Sequence, residues 1–427
     1  MKKIYDSKEY KRSRIAYTMQ ATFEYLITIF ISDAFLAKLL TSIGISDSVI
    51  GIISSIITIA FLFQLLAIFL VDKIKRNKQA ALIFTTSSQL FFMVLYLIPF
   101  FSISKSAKTT MAVFLILGAY LCQYLIASIL FKWANSFVAP YKRAQFSATK
   151  EMISLATGML FTFFAGKLVD FYDKRGQLDM AFIAIAIIIF ALCVFNFISL
   201  LLISGKSEER ESKHIPLKKV ISNTLGNKNF RNVVILTCIW ESARYLTIGF
   251  LGTYKTKELL MSVGTVQIIN ICGNLGRFLM SNPFGRFSDK YSFATGMKVA
   301  FIIAGVAFGI NIFSAPGCIW PIVIYTILYA VSMAGLNANS MNIVYSYVDA
   351  DYFVHATAIK NSIGGVCGFL ATLVGSKVVE IIQNSGNMVF GQTIYAQQFL
   401  SVISFVITIL CIIFVSVKLE KQEVLKQ

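Results

Sequence analysis

Two carboxylates and two guanidinium groups stand inside long apolar stretches of this 427-residue chain: Glu24, Glu241, Arg244 and Arg277. Each carboxylate follows an aromatic residue, Phe23 or Trp240, and Arg244 comes one helical turn after Glu241. On an insertion scale, a charge at the centre of a bilayer-crossing helix costs about 2.5–3.5 kcal/mol. Such groups persist where the protein interior uses or neutralises them. The chemistry open to them is the binding of a polar solute or an ion. A carboxylate in a low-dielectric cavity can carry a coupling proton, or hold Na+ together with amide and carbonyl oxygens. A guanidinium can hold an anionic group. The structural alternative is that Glu241 and Arg244 neutralise each other. In the same sense, Arg277 can anchor its helix to Glu241 or to a backbone carbonyl.

Polar residues recur around these charges with helical spacing. Gln20, Glu24, Thr28 and Ser32 are each four apart. Thr237, Glu241, Arg244 and Thr247 form a second stripe, and Gln267, Asn270, Asn274, Arg277 and Ser281 a third. Steps of three and four put each set on one helix face. Lipid does not accept such faces, so they are expected to point into the bundle or a wet cavity. Gln123, between Tyr120 and Tyr124, and Asn337 add hydrogen-bonding groups in two further apolar runs. Asn and Gln also serve as contacts between membrane helices.

The elements that must position these residues are membrane spans. The chain is 57% hydrophobic and 14% charged, with a mean hydropathy of +0.72. That composition excludes an ordinary soluble domain and fits an all-α polytopic membrane protein. The net charge of +18 does not point to nucleic acid, because the basic residues fall in short clusters between apolar runs. Seven cysteines are scattered singly and the two histidines, His214 and His355, lie in polar connections. Neither pattern suggests a disulfide framework, a metal centre or a cofactor.

Runs of roughly 20 apolar residues are found at 15–41, 48–70, 79–101, 109–131, 147–169 and 180–203. A polar stretch follows, and six more runs occupy 231–253, 263–283, 293–314, 319–345, 361–383 and 397–418. The expectation is twelve spans in two pseudo-symmetric six-helix bundles, 1–203 and 231–427, with a linker at 204–230. The first run has no cleavage site and reads as a retained helix. Basic clusters such as Lys73, Lys75, Arg76 and Lys78, and those of the central linker, set the orientation by the positive-inside rule. Both termini are then cytoplasmic.

The two halves resemble each other. Ser136 onward laid over Ser346 onward matches Ala148 with Ala358, Lys150 with Lys360, Gly158 with Gly368 and Thr162 with Thr372. A slightly different register puts Asp72-Lys73 on Asp289-Lys290, and that same register puts Glu24 on Glu241. A duplicated six-helix unit explains both overlays.

Six plus six helices, a basic central linker and an acidic–basic turn after span 2 resemble the major facilitator superfamily, over nearly the whole chain. The turn "IFLVDKIKRNK" at 68–78 keeps the Asp72, Lys73 and Arg76 of the family motif but lacks its glycines. The equivalent "GRFSDKYSF" at 285–293 keeps Gly285, Asp289 and Lys290. The resemblance implies a gating role for Asp72, Arg76 and Asp289, and a central cavity lined by spans 1, 4, 7 and 10. Two features depart from the family's drug antiporters: span 4 offers Gln123 where they carry an arginine, and span 5 has no Gly-Pro pair.

The expected protein is therefore a secondary active transporter, monomeric and multi-pass, in a bacterial cell membrane. It moves a small sugar-like, anionic or zwitterionic solute by alternating access. The coupling ion is H+, carried by Glu24 or Glu241, with Na+ as the other possibility. The rival within the class is an exporter of amphiphilic compounds, for which the 38 phenylalanines would supply an apolar pocket. A membrane enzyme would need a nucleophile–base pair or a metal cluster, and no histidine lies in a span.

Overall fold

Apolar runs poor in proline favour long helices, and hydroxyl or amide side chains start them. The computed structural model describes residues 7–65, 77–138, 143–203, 222–348, 352–389 and 391–420. Its helices are α1 (Lys8–Phe30), α2 (Asp33–Ser42), α3 (Asp47–Ser54), α4 (Ile56–Ala60), α5 (Asn77–Leu97), α6 (Lys105–Ser136), α7 (Arg143–Asp173) and α8 (Leu178–Leu202). Then come α9 (Lys228–Tyr245), α10 (Ile248–Thr253), α11 (Val263–Lys290), α12 (Phe293–Asn311), α13 (Trp320–Tyr347), α14 (Phe353–Asn384) and α15 (Ala396–Phe414). A short hairpin, β1 (Met388–Val389) with β2 (Gln392–Thr393), precedes α15. The caps follow the residue types: Ser7, Ser104, Ser262 and Ser292 each accept a backbone N–H in the first turn of α1, α6, α11 and α12. Asn227 does the same for α9.

The class is all-α and polytopic, as expected. Ten helical stretches of the described residues are long and apolar enough to cross a membrane, and they coincide with ten of the twelve expected spans. Spans 1 and 8 are helical but are not among the ten. These are two of the spans whose length is taken up by a polar stripe, which lowers their apolar content. Span 1 is also interrupted, although its sequence reads as one run. The chain breaks after Phe30, and Asp33 takes a left-handed backbone conformation at φ 46°. The break frees backbone carbonyls, and the Tyr96 hydroxyl donates to one of them, the oxygen of Phe30, at 2.6 Å. Span 7 is interrupted likewise between Tyr245 and Ile248. There Thr372 Oγ1 donates to the Tyr245 oxygen at 3.0 Å and Gln397 Nε2 to the Thr247 oxygen at 3.4 Å. Side chains thus replace helical partners that lipid cannot supply.

The described residues fall into two compact units. One holds the residues up to Gly44 and those from Phe63 to Ile203; the other holds Ile45–Leu62 and the residues from 222 onward. In the first, α5 packs on α6, α8 packs on α5 and α1, and α1 packs on α7. In the second, α12 packs on α13, α15 packs on α12 and α9, and α9 packs on α14. Moving six spans along the chain converts the first set of pairs into the second, as duplication requires. Gly158 of α7 meets the Tyr25 ring of α1, and its overlay partner Gly368 of α14 meets the Tyr245 ring of α9.

Span 2 is the segment that groups away from its sequence neighbours. Its α3 and α4 pack on α14, and α3 also on α10. Two glycines permit this. A Cβ at Gly51 would stand 1.9 Å from the Phe250 ring, and one at Gly365 would stand 2.2 Å from the Thr58 oxygen. Asp47, at the start of α3, is buried and pairs with Lys257, while Gln383 Nε2 donates to Asp47 Oδ2 at 2.9 Å and to Glu258 Oε1 at 3.3 Å. Elsewhere the outward helix faces are apolar: Phe114, Leu160 and Ile381 are each at least two-thirds exposed, as lipid-facing positions are.

Candidate functional site

Each unit holds one of the two expected carboxylates. In the first unit, α1 presents Glu24 one turn beyond Gln20. Gln20 Nε2 donates to Glu24 Oε2 at 2.7 Å, and Gln123 Nε2 of α6 donates to Glu24 Oε1 at 2.6 Å. Two amides thus hold the carboxylate, one on each oxygen. Gln20 is itself fixed from behind, because Asn196 Nδ2 donates to its backbone oxygen at 3.1 Å. Tyr120 and Tyr124 flank Gln123 and stack on each other with centroids 6.1 Å apart.

A narrow cavity opens beside Glu24, lined also by Ile27, Thr28, Gln123 and a stripe of α5: Thr85, Ser88, Gln89 and Phe92. The α5 residues were missed from sequence. In the sequence the polar ones lie within five consecutive polar residues, Thr85 to Gln89, which mark a polar patch in span 3 without singling out one face.

In the second unit, α9 presents Glu241 and Arg244. The guanidinium Nη1 sits 3.4 Å from both carboxylate oxygens, a long and divided contact. The carboxylate is 16% exposed and the guanidinium 26%. Arg244 also lies over the Tyr245 ring at 4.9 Å and interacts with the Tyr329 phenol. Trp240, one turn before Arg244 on α9, packs against Phe301 and Tyr329.

α14 closes on this pair through Gly364 and Gly368. A Cβ at Gly364 would stand 2.7 Å from Thr237 and 3.4 Å from Glu241, and one at Gly368 would stand 2.9 Å from Tyr245. One turn before Gly364, on the same face, is Lys360, which is 4% exposed and close enough to Glu241 for their charges to interact. Its ammonium donates to Ser340 Oγ at 2.7 Å and to the Ser340 oxygen at 3.4 Å. Lys360 is a second residue that was not singled out, although its overlay on Lys150 was visible. It stands just before the apolar run of span 11, where a lysine reads as an interfacial charge. The cluster holds one carboxylate and two cations.

The remaining expected residues are placed as follows. Asn270 Nδ2 donates to Gln267 Oε1 at 3.2 Å on α11, and Asn274 and Arg277 continue that face half-buried. Among the described residues no hydrogen bond or ion pair joins the Arg277 side chain to Glu241. Asn337 is exposed on α13, whereas Asn339, two positions on, is buried and donates to the Gly335 oxygen. Asp289 is exposed near the end of α11. Asp72 and Arg76 lie outside the described residues.

No curated protein matches the chain. Among solved structures, a point variant of the nucleoside transporter NupG aligns with a TM-score of 0.72 at 15% identity, over 95% of this chain and 99% of that one. The POT family transporter PepTSo aligns with a TM-score of 0.71 at 13% identity, over 97% and 98%. The peptide transporter POT in complex with sulfate aligns with a TM-score of 0.67 at 12% identity, over 94% of each. At these identities the likeness is one of fold. The profile of the Major Facilitator Superfamily matches residues 15–372. With that match over most of its length, this chain belongs to the Major Facilitator Superfamily of membrane transporters.

Proposed function

We infer that the chain is a secondary active transporter that moves a small polar solute, sugar-like or anionic/zwitterionic, by alternating access with a coupled proton. The observation that carries this reading is the pair of polar clusters around Glu24 and Glu241. Each is built on the matching span of its unit, and each combines a carboxylate with amide or cationic donors. Nucleoside and peptide transporters of the same fold support a polar organic cargo. An exporter of amphiphilic compounds would need apolar linings in these places.

Glu241 is the proton carrier in this reading. Protonation removes the charge that Arg244 and Lys360 share, and both cations then become available to an anionic group of the solute. Asp289, with Asp72 and Arg76, gates the cytoplasmic end, where both termini lie.

The test is uptake into proteoliposomes with and without a pH gradient. Glu241→Gln is expected to abolish gradient-driven accumulation and to retain counterflow exchange, which needs no net proton movement. Normal gradient-driven uptake by the double variant Glu241→Gln with Arg244→Gln would remove both residues from the mechanism. It would leave them as a neutralised structural pair.

A further inference from the structure

The cavity beside Glu24 contains polar groups that the carboxylate's own partners do not use. Gln89 is 3% exposed, and neither its Oε1 nor its Nε2 has a hydrogen-bond partner among the described residues. The same holds for Thr85 Oγ1, on a residue equally buried. Both side chains line the cavity, next to Ser88 and Thr28. A buried amide left unpaired on both atoms is costly, and α5 holds this one in mid-span.

The donor and acceptor pattern selects the occupant. A cation would satisfy Gln89 Oε1 but would face the Nε2–H dipole, which points positive. An anion would face Glu24. An apolar group would leave every polar atom unpaired. A hydroxyl group meets donor and acceptor together, since it can accept from Gln89 Nε2 and Thr85 and donates its one hydrogen to either Gln89 Oε1 or Glu24. The space is narrow, about the room of one water molecule, so it admits one hydroxyl-bearing end of a solute. Phe92 forms an apolar wall and rests edge-on against Tyr120, a surface suited to the C–H face of a sugar ring.

We propose that Gln89 and Thr85, together with Glu24, form a subsite that reads a hydroxyl group of the transported solute, which places that solute among polyhydroxylated compounds. This rests on the transporter reading and narrows its substrate class. Water offers the same hydroxyl chemistry, and the experiment separates the two sources.

Binding is measured on the purified full-length protein, by thermal stabilisation and by titration, with a panel of hexoses and pentoses and their monodeoxy analogues. The variants are Gln89→Leu and the near-isosteric Thr85→Val, which guards against a misfolded Gln89→Leu. At least one sugar is expected to bind, and its analogue lacking the hydroxyl that is read binds about 10- to 100-fold more weakly. Gln89→Leu or Thr85→Val weakens the parent sugar by a similar factor and leaves the deoxy analogue unchanged, because the two losses are one interaction. Three results overturn the proposal: no sugar binds, a variant weakens sugar and analogue equally, or neither variant changes any affinity. The last outcome means that ordered water alone fills the site. Sugar binding that depends on Gln89, without gradient-driven uptake, would instead sink the transporter reading and keep the subsite.

Discussion

Glu24 and Glu241 occupy matching places in the two units yet are neutralised differently. Glu24 is held by uncharged amides, and Glu241 by a guanidinium at 3.4 Å with an ammonium nearby. Under the proposed function that difference gives them separate tasks: a fixed acceptor in one unit, an exchangeable charge in the other. Lys360 tests the assignment. Removing Lys360 leaves Glu241 paired with Arg244, so no buried charge is stranded. Lys360→Met is therefore expected to melt within a few degrees of wild type and yet to lose most transport. Wild-type uptake by that variant would make Lys360 a packing residue. The carboxylates and Arg244 were legible because charge inside an apolar run is rare. Gln89 and Lys360 were less legible for opposite reasons: glutamine is an unremarkable residue in a helix, and a lysine near a span end is commonly an anchor.

At the scale of the element, the apolar runs located the helices well and their interruptions poorly. The breaks after Phe30 and Tyr245 leave no proline or glycine in the sequence at the break itself. They persist because Tyr96, Thr372 and Gln397, distant in the chain, satisfy the carbonyls. A local pattern carries no information about such partners. Glycine roles were equally invisible. Gly365→Ala drives a methyl into the Thr58 oxygen, whereas a Cβ at Gly285 meets nothing within 4 Å. Gly365→Ala is expected to cost about 1–3 kcal/mol, as overpacking does. Gly285→Ala is expected to stabilise α11 by about 0.5–1 kcal/mol, through helix propensity. Thermal melts of the two variants side by side decide this, and equal melting temperatures would contradict the close approach of α4 and α14.

For the whole molecule, the pairing of helices within each unit repeats after six spans, and this was foreseeable from the sequence overlays. The placement of Ile45–Leu62 with the second unit was not, because periodicity says which face is buried but not against what. Orientation is testable directly. On a cysteine-free background, a cysteine at position 213 is expected to react only from the cytoplasmic side and one at 174 only from outside; the opposite pattern inverts the topology. The Asp47–Lys257 pair is testable by a double-mutant cycle. Asp47→Asn is expected to lower the melting temperature, and Lys257→Met in the same chain to restore part of it, since neither charge is then left alone.

The docking of α3 and α4 also fixes an order of assembly. Asp47 and Lys257 are 210 residues apart. At roughly 5–20 residues per second, the second partner is synthesised about 10–40 s after the first, and α14 later still. During that interval the second span has been made and its final neighbours have not. The face it will later bury, with Gly51 and Ser55, must be covered by lipid or by the insertion machinery. Maturation of this span is therefore timed by the synthesis of α14, so slowing the ribosome between the two segments lengthens the exposure of the first.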